Sequence, residues 1–238
     1  MKTALMLAAA ALALAACQKP AEAPRQEATA ASTAPAPVAG EPVLAPLPTP
    51  APAGAYELDP SHTSLTFSLS HLGFSHYTAR FTKVSGKLAF DPANPAGMSI
   101  EATVDPTSLE LNAPPKGFHE EITGKAYLDA GAFPAITFKS TKVEPTGPNT
   151  ANVTGDFTLH GVTRPVVLAV TFNGGWAANA YDGARIGFSA KGAFKRSDFG
   201  IGSGVPAPGT NMGVGDQINV VIETEFGSGK PTGSAPAQ

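Results

Sequence analysis

The sequence predicts an all-β fold, an antiparallel barrel of about eight strands, and two features of residues 56–226 support this. Apolar and polar residues alternate over short segments, which is the pattern of strands with one buried and one wet face. Turn clusters rich in Pro, Gly and Asn, such as residues 91–95, 145–149 and 173–175, separate the segments. Eight twisted antiparallel strands can close into a barrel, which removes exposed sheet edges.

Each predicted strand directs a set of alternating apolar residues toward the interior. In chain order these sets are Leu65, Phe67 and Leu69; Val84, Gly86, Leu88 and Phe90; Met98, Ile100, Ala102 and Val104; Ile136 and Phe138; Val153, Gly155, Phe157 and Leu159; Val166, Leu168, Val170 and Phe172; Ile186, Phe188, Ala190 and Phe194; and Ile218, Val220, Ile222 and Phe226. A barrel of eight strands either fills with its own side chains or holds one small ligand. The small residues among these, Gly86, Ala102, Gly155 and Ala190, leave room for a lumen.

One segment lacks the alternation of the strands. Residues 118–128 favour a short helical turn, although Gly124 limits its length. We expect this short helix or loop to cap one opening of the barrel. Trp176, in a segment rich in Gly and Ala, is predicted to be a loop residue near an opening.

The start of the chain differs from the barrel. Residues 1–16 contain an apolar run that is shorter than the roughly 20 residues of a membrane span and is typical of a secretory signal peptide. The run ends in LAAC at residues 14–17, which resembles the lipobox of bacterial lipoproteins. This resemblance implies that Cys17 is the lipid attachment site, and Gln18 favours the outer membrane. No covalently bound group beyond this acyl anchor is expected.

Two further segments are predicted to be unfolded. Residues 17–55 are dominated by Ala and Pro and contain no aromatic residue, so we expect a disordered, lipid-anchored linker. Residues 227–238 are rich in Gly, Pro and Ser and are predicted to form a flexible tail. Cys17 is the only cysteine, so no disulfide within the chain can stabilise the barrel domain of residues 56–226.

Composition and motifs argue against several classes of function. The net charge is −3, only 15% of the residues are charged and no basic run occurs, so nucleic acid is not an expected partner. The five histidines lack metal-site spacing, and Thr123 stands where a zinc helix beginning at His119 needs its second histidine. A nucleophile elbow and a dinucleotide-binding loop are also missing. The sequence therefore predicts neither an enzyme nor a metal site.

Longer blocks of sequence carry a family resemblance. They read YELDPSHTS at 56–64, FSLSHLGFS at 67–75, FPAITFKST at 133–141, VTGDFTLHGVTRPV at 153–166 and RSDFGI at 196–201. In this order they resemble the YceI-like family of bacterial periplasmic proteins over residues 56–226. The resemblance implies a lipocalin-like barrel with an elongated apolar cavity. It also implies a polyisoprenoid, such as an isoprenoid quinone, or another amphipathic lipid as ligand, and it allows a homodimer.

The cap departs from the family pattern. Many members have an Arg-Asp-x-His-Leu segment before the strand that follows Phe-Pro. Here the segment reads KGFHEEI at residues 116–122, with extra residues before Phe133. The head-group preference of other members is therefore not carried over to this chain.

A set of mostly aromatic residues is the candidate ligand-binding site. The residues are Phe67, Leu69, His71, Phe74, Phe81, Phe118, His119, Phe138, Phe157, Arg164 and Phe188. His71 is in phase with Phe67 and Leu69 at a strand end, so it is predicted to lie at the mouth of the cavity. It would either meet a polar head group there or hold the strand end through a hydrogen bond.

The other polar candidates also have two interpretations. His119 either contacts a ligand from the cap or is a solvated loop residue. Arg164, like Arg80 and Arg196, either contacts a ligand or makes a turn-stabilising ion pair.

These features together predict an envelope lipoprotein that faces the periplasm, with the outer membrane favoured. Its barrel would bind a long-chain isoprenoid or a similar amphipathic lipid for sequestration or transfer. One alternative is an anchored stress or structural component with a solidly packed barrel that acts through its outer surface. Another alternative is an enzyme acting on a lipid head group, with His71 as acid or base.

Overall fold

The computed structural model describes residues 49–229. The predicted signal peptide at 1–16, the lipid attachment at Cys17, most of the predicted linker and residues 230–238 of the predicted tail lie outside the described residues. None of the helices within the described range is long and apolar enough to cross a bilayer.

The described residues form ten strands and few helical segments. The strands are β1 (Gly54–His71), β2 (Ser75–Phe81), β3 (Val84–Phe90), β4 (Ser99–Val104), β5 (Leu109–Glu110), β6 (Ile136–Pro145), β7 (Thr150–Leu159), β8 (Val162–Trp176), β9 (Arg185–Lys195) and β10 (Gln217–Gly227). Helix α1 (Phe118–Thr123) and short 3-10 helices at Pro95–Gly97, Pro106–Ser108 and Arg196–Phe199 complete this part of the chain.

The ten strands make one closed antiparallel barrel with eight positions around it. β2 pairs with the second half of β1 and β3 pairs with the first half, so β2 and β3 occupy one position. β4 pairs with β3 and β5 pairs with β2, so these two share the next position. β10 pairs with both β9 and β1, which closes the sheet. The predicted eight-stranded antiparallel barrel is confirmed.

A bulge lets the long first strand serve two neighbours. The register of β1 against β10 shifts between Asp59 and Ser64, a stretch that contains Pro60. Proline cannot donate a ladder hydrogen bond, and a bulge bends the strand that carries it. Side chains satisfy part of the interrupted ladder: Asp59 Oδ1 accepts from the Ser61 amide at 2.9 Å, and Thr63 Oγ1 donates to the Asp59 carbonyl at 2.7 Å.

The strand register defines two ends of the barrel. The terminal end carries the start of β1, the β3–β4, β6–β7 and β8–β9 connections, and the end of β10. The cap end carries the β1–β2 and β7–β8 turns, α1, and residues 196–216 between β9 and β10. Both ends of the described chain therefore lie at the terminal end.

The buried core is divided between these two ends. One cluster of buried residues, at the terminal end, includes Tyr56, Phe90, Ile186 and Phe226. The Tyr56 hydroxyl donates to the Pro52 carbonyl at 2.8 Å, and burial raises the pKa of this tyrosine. The other cluster, at the cap end, consists of Val104, Ile136, Leu159, Val166, Phe199 and Ile201. The fully buried residues therefore form two separate clusters, one toward each end of the barrel.

The N-terminal boundary of the folded part differs from the sequence expectation. β1 begins at Gly54, two residues before the predicted domain. Ala51, which falls in the predicted linker, is only 3% exposed and packs in the cluster with Tyr56. Composition could not show this contact, because small residues such as Ala51 are common in both linkers and cores.

The bulge also carries a carboxylate, that of Asp59, whose pKa is lowered when the chain folds. Arg185 Nη1 donates to Asp59 Oδ2 at 2.7 Å, and His62 Nδ1 lies 2.9 Å from the same oxygen. The hydrogen bond from Arg185 first, and that with His62 second, hold the pKa of Asp59 well below its usual range. A carboxyl whose pKa is lowered by folding stabilises the fold above its unfolded-state pKa, and this contribution is lost as the pH falls.

We therefore expect Asp59→Asn to lower the free energy of unfolding by about 1 kcal/mol at neutral pH. The difference from the unmodified chain should shrink as the pH falls below the unfolded-state pKa of about 4. Urea titrations at a series of pH values measure it. Glu57→Gln, at an exposed position of the same strand, is the control for the lost charge. If the difference in unfolding free energy between Asp59→Asn and the unmodified chain stays constant from neutral to acid pH, the lowered pKa of Asp59 is contradicted.

Candidate functional site: an apolar cavity through the barrel

A cavity of about 670 Å³ occupies the barrel between its two ends. Its lining includes residues from every strand position, from the β3–β4 connection at the terminal end to α1 and residues 127–128 at the cap end. This volume lies within the range of roughly 300–1,000 Å³ that is common for ligand sites.

Six of the predicted site residues line this cavity. They are Phe67, Leu69, Phe81, Phe138, Phe157 and Phe188. Each lies on a strand at an inward phase of the alternating pattern, so the pleat directs its side chain toward the lumen.

Aromatic rings concentrate in two groups, one toward each end. Toward the terminal end, the centroid of Phe172 lies 5.6 Å from that of Phe90 and 5.3 Å from that of Phe188. Toward the cap end, Phe157, Phe194 and Phe199 form a second group, with centroids 4.9–5.4 Å apart. Between the groups, the lining from β8, β9 and β10 is aliphatic or small, as at Val170, Ala190 and Ile222. Such a wall offers dispersion contacts and few hydrogen bonds.

The cavity opens at the terminal end. Within residues 49–229, the exposed residues of the lining are Pro92, Pro95, Ser99, Pro145, Gly147 and Pro148. These belong to the start of β4, the end of β6 and the connections beside them. Lining residues at the cap end, such as Leu109, Ile122 and Ile201, are buried or half-buried. The predicted cap is thus present, and α1 contributes Ile122 to the closed end.

Among the described residues that line the cavity, Arg196 is the only charged one. It is 5% exposed, and burial lowers the pKa of its guanidinium. Nε donates to the Gly215 carbonyl at 3.0 Å, Nη1 to those of Ile201 and Ser203 at 3.0 and 2.7 Å, and Nη2 to that of Val214 at 2.7 Å. These bonds tie the residues between β9 and β10 across the cap end. The guanidinium therefore donates mainly to backbone carbonyls. The sequence had suggested either contact with a ligand or a turn-stabilising ion pair for this arginine.

The predicted position of His71 at the mouth is wrong. His71 ends β1 at the cap end, is exposed, and does not line the cavity. The pleat argument fails because the strand leaves the lumen at its last residue and turns at Leu72, which has a positive φ of 53°. Phe74, beyond this turn, is 85% exposed, so its predicted contact with the cavity is also not observed.

Three further predicted residues lie outside the cavity lining. Phe118 and His119 begin α1 and are half-buried, whereas Ile122, one turn later, faces the lumen. Arg164 is exposed near the start of β8, beside the turn that follows β7. Its phase matches that of Val166, but it lies too close to the strand end to be covered.

The sequence indicated some wall residues only in part. Ile122, Tyr127 and Leu128 line the closed end but belong to a segment without strand alternation. Among the small residues predicted to leave room, Ala102 and Ala190 do line the cavity. Gly155 does not, because the Phe138 ring lies over it: a Cβ added there would be 2.4 Å from Phe138 Cζ.

Gly155→Ala is therefore expected to destabilise the barrel by about 1–3 kcal/mol, the usual cost of forcing an extra methyl into a packed site. The neighbouring β6 backbone leaves little space, since the added Cβ would also lie 2.7 Å from the Lys139 carbonyl oxygen. Thermal unfolding measures the effect. Gly54→Ala, with no atom within 4 Å of the added Cβ, is the matched control. Equal stabilities of the two variants would show that Phe138 can move aside.

Within residues 49–229, no group of three or more His, Cys, Asp or Glu side chains is placed so that it could bind a metal ion.

Comparison with known proteins identifies the family. Residues 56–226 match the YceI-like domain, and the chain belongs to this family. A UPF0312 protein of Pseudomonas fluorescens is 43% identical over 144 residues, which cover 58% of this chain and 71% of the relative. A UPF0312 protein of Vibrio parahaemolyticus is 36% identical over 176 residues, covering 73% of this chain and 89% of the relative.

Solved structures share the barrel. BcnA of Burkholderia cenocepacia superposes with a TM-score of 0.60 at 29% identity, covering 71% of this chain and 98% of BcnA. A polyisoprenoid binding domain from Saccharophagus degradans, described as implicated in plant cell wall breakdown, superposes with a TM-score of 0.53. Its identity is 16%, with 73% of this chain and 98% of that domain covered, so this likeness shows the fold alone.

Proposed function

We propose that the barrel binds the long apolar chain of an isoprenoid, for example an isoprenoid quinone, or of a similar amphipathic lipid. The observation that carries this proposal is the apolar cavity of about 670 Å³ between the two ends. The Saccharophagus degradans domain, which shares the barrel fold, is named as a polyisoprenoid binding domain, and the proposal extends that class of ligand to this chain. The protein would sequester or transfer this lipid and catalyse no reaction.

Burial of the chain would supply the binding free energy. Each 100 Å² of apolar surface removed from water contributes about 2.5 kcal/mol. Lost translational and rotational freedom offsets roughly 4–15 kcal/mol of that gain. A ligand therefore needs several hundred Å² of apolar surface within the lumen, which favours a long chain over a small apolar molecule.

The lining also favours one orientation of the ligand. Thr49, Ser99, Asn149 and Thr150 bring polar groups to the cavity at the terminal end, where it opens. Arg196, a charged lining residue at the cap end, already bonds to backbone carbonyls. A lipid would thus enter tail first, with its head group left at the opening.

The same proposal places the protein in the cell envelope, facing the periplasm. It rests on the apolar start of the chain and on the lipobox-like residues before Cys17. A lipid on Cys17 would anchor the protein to a membrane, with the outer membrane favoured by Gln18. A homodimer would use outer faces, because β1 and β10 pair with each other and leave neither edge free.

Mass spectrometry of lipids extracted gently from the purified protein tests the proposed function. We expect a chain-bearing amphiphile to co-purify in a reproducible ratio to protein. Protein that is reproducibly empty, and that also fails to take up added isoprenoid quinone, would overturn the proposal. The alternative of a solidly packed barrel acting through its outer surface is not favoured by a cavity of this size.

A further inference from the structure

The terminal end of the barrel exposes two large aromatic side chains beside the cavity opening. Trp176, the last residue of β8, is 49% exposed, and Tyr181, in the β8–β9 connection, is 94% exposed. The sequence prediction of Trp176 as a loop residue is corrected here, since it pairs with Arg185 of β9. This pairing fixes the tryptophan on the hairpin of β8 and β9.

Hydrogen bonds also define the turn that presents Tyr181. Asn179 Oδ1 accepts from the amides of Tyr181 and Asp182 at 2.8 and 3.1 Å. The Asn179 amide donates to the Asp182 carbonyl at 2.9 Å, and Arg185 donates to the Asp182 carboxylate. The exposed tyrosine is thus held on an ordered turn rather than on a long unbonded loop.

The hairpin extends past the opening along the strand direction. Thr150, which lines the opening, pairs with Thr171 of β8, and Trp176 lies five residues farther along this strand. At about 3.3 Å per residue, this places Trp176 roughly 16 Å farther along β8 than that pair. A flat surface that touches the aromatic residues would therefore lie next to the route into the cavity.

We propose that the terminal end docks on the surface of a lipid bilayer through Trp176 and Tyr181, so that the cavity opens toward the membrane. Tryptophan and tyrosine are the residues enriched at the membrane–water interface, because each joins an apolar ring to a polar group. The proposed lipid anchor on Cys17 also favours a membrane as the partner. Cys17 is connected through the chain to Thr49, which itself lines the cavity. The inference rests on the proposed binding of an amphipathic lipid and adds the route by which that lipid enters.

The charges near the hairpin indicate whether docking needs anionic lipids. Near the hairpin, Arg185 faces Asp59, Asp182 and Glu225, so its positive charge is matched by three carboxylates. Attraction to anionic lipids therefore does not drive the docking. Binding should occur on zwitterionic phosphatidylcholine vesicles and change little with salt.

The chain contains one tryptophan, so its fluorescence reports on Trp176 without labelling. The purified full chain is mixed with phosphatidylcholine vesicles that carry a nitroxide quencher at a shallow acyl position. Relative to vesicles without nitroxide, we expect about a twofold loss of fluorescence, because an interfacial indole lies at this depth. Tyr181→Ser should reduce this quenching by about half.

The matched control moves the reporter to the other end of the barrel. Phe74 at the cap end is also exposed, and the double variant Phe74→Trp, Trp176→Phe carries its single tryptophan there. We expect no quenching of this variant. Equal quenching at both ends, quenching only at the cap end, or none at either end would each overturn the docking proposal. Because the assay needs no bound ligand, its failure leaves the extracted-lipid result, and with it the proposed function, to stand or fall separately.

Discussion

Replacing Arg196 with leucine should lower the free energy of unfolding by about 3–5 kcal/mol, since each buried carbonyl left without a donor costs about 1–3 kcal/mol. Four carbonyl oxygens, those of Ile201, Ser203, Val214 and Gly215, receive their hydrogen bonds from this guanidinium. Leucine would keep the apolar stem and remove all four donors. Some carbonyls can regain water, which is why the expected loss is smaller than the sum of four full penalties.

Two variants sharpen this prediction. Arg196→Lys retains the charge but has one ammonium group in place of a planar fork, so it should recover only part of the loss. Lys195→Leu, at the exposed neighbouring position, should leave stability within about 0.5 kcal/mol of the unmodified chain. Urea unfolding followed by circular dichroism measures all three. A loss below about 1 kcal/mol for Arg196→Leu would mean that the cap end does not depend on this network.

Filling the middle of the lumen should abolish most lipid binding. Ala190 of β9 lines the cavity, and its neighbours across the sheet are Val170 and Ile222. Phenylalanine at this position would place its ring across the path of a chain. We expect Ala190→Phe to reduce the amount of co-purified lipid per protein at least about tenfold, which requires a loss of at least about 1.4 kcal/mol of binding free energy.

The control for this change is Ala193→Phe, at an exposed position of the same strand. It adds the same ring and should leave the lipid content unchanged. Both variants are first checked for folding by thermal unfolding, because an extra ring in a packed core would destabilise while one in a cavity would not. Unchanged lipid content in a folded Ala190→Phe protein would show that the chain binds elsewhere.

The barrel could be predicted because its rule is local. Alternation along each strand, as from Val166 to Phe172, fixes which side chains face inward, and turn clusters fix where strands end. The same rule placed Phe67, Phe138 and Phe188 on the cavity wall. A short helix was also indicated within residues 118–128, which lack alternation, and the observed helix ends at Thr123, before Gly124.

The opening could not be predicted because it depends on contacts between distant segments. If the alternation of β1 is continued to His71, this residue is predicted to face inward. The local sequence does not show that residues 122–128 and 196–216 close the cap end. The same applies to Arg196, whose phase suits the wall but whose four acceptors lie 5–19 residues away in the sequence. Gly155 shows the limit for small residues, since the ring that covers it belongs to β6.

The pairing of the first strand with the last has a consequence for folding kinetics. Thr63 and Thr224, which face each other across this pair with hydroxyl oxygens 2.8 Å apart, are separated by 161 positions in the chain. Pairs such as β6–β7 and β7–β8 need only short loops, so they can form early, whereas the β1–β10 pair must bring together opposite ends of the domain. Barrels dominated by distant contacts fold in milliseconds to seconds rather than microseconds. Until β1 and β10 pair, the inner apolar face is exposed to water, and two unpaired strand edges can pair with another chain. The protein is therefore most prone to aggregate before this slow closing step is complete.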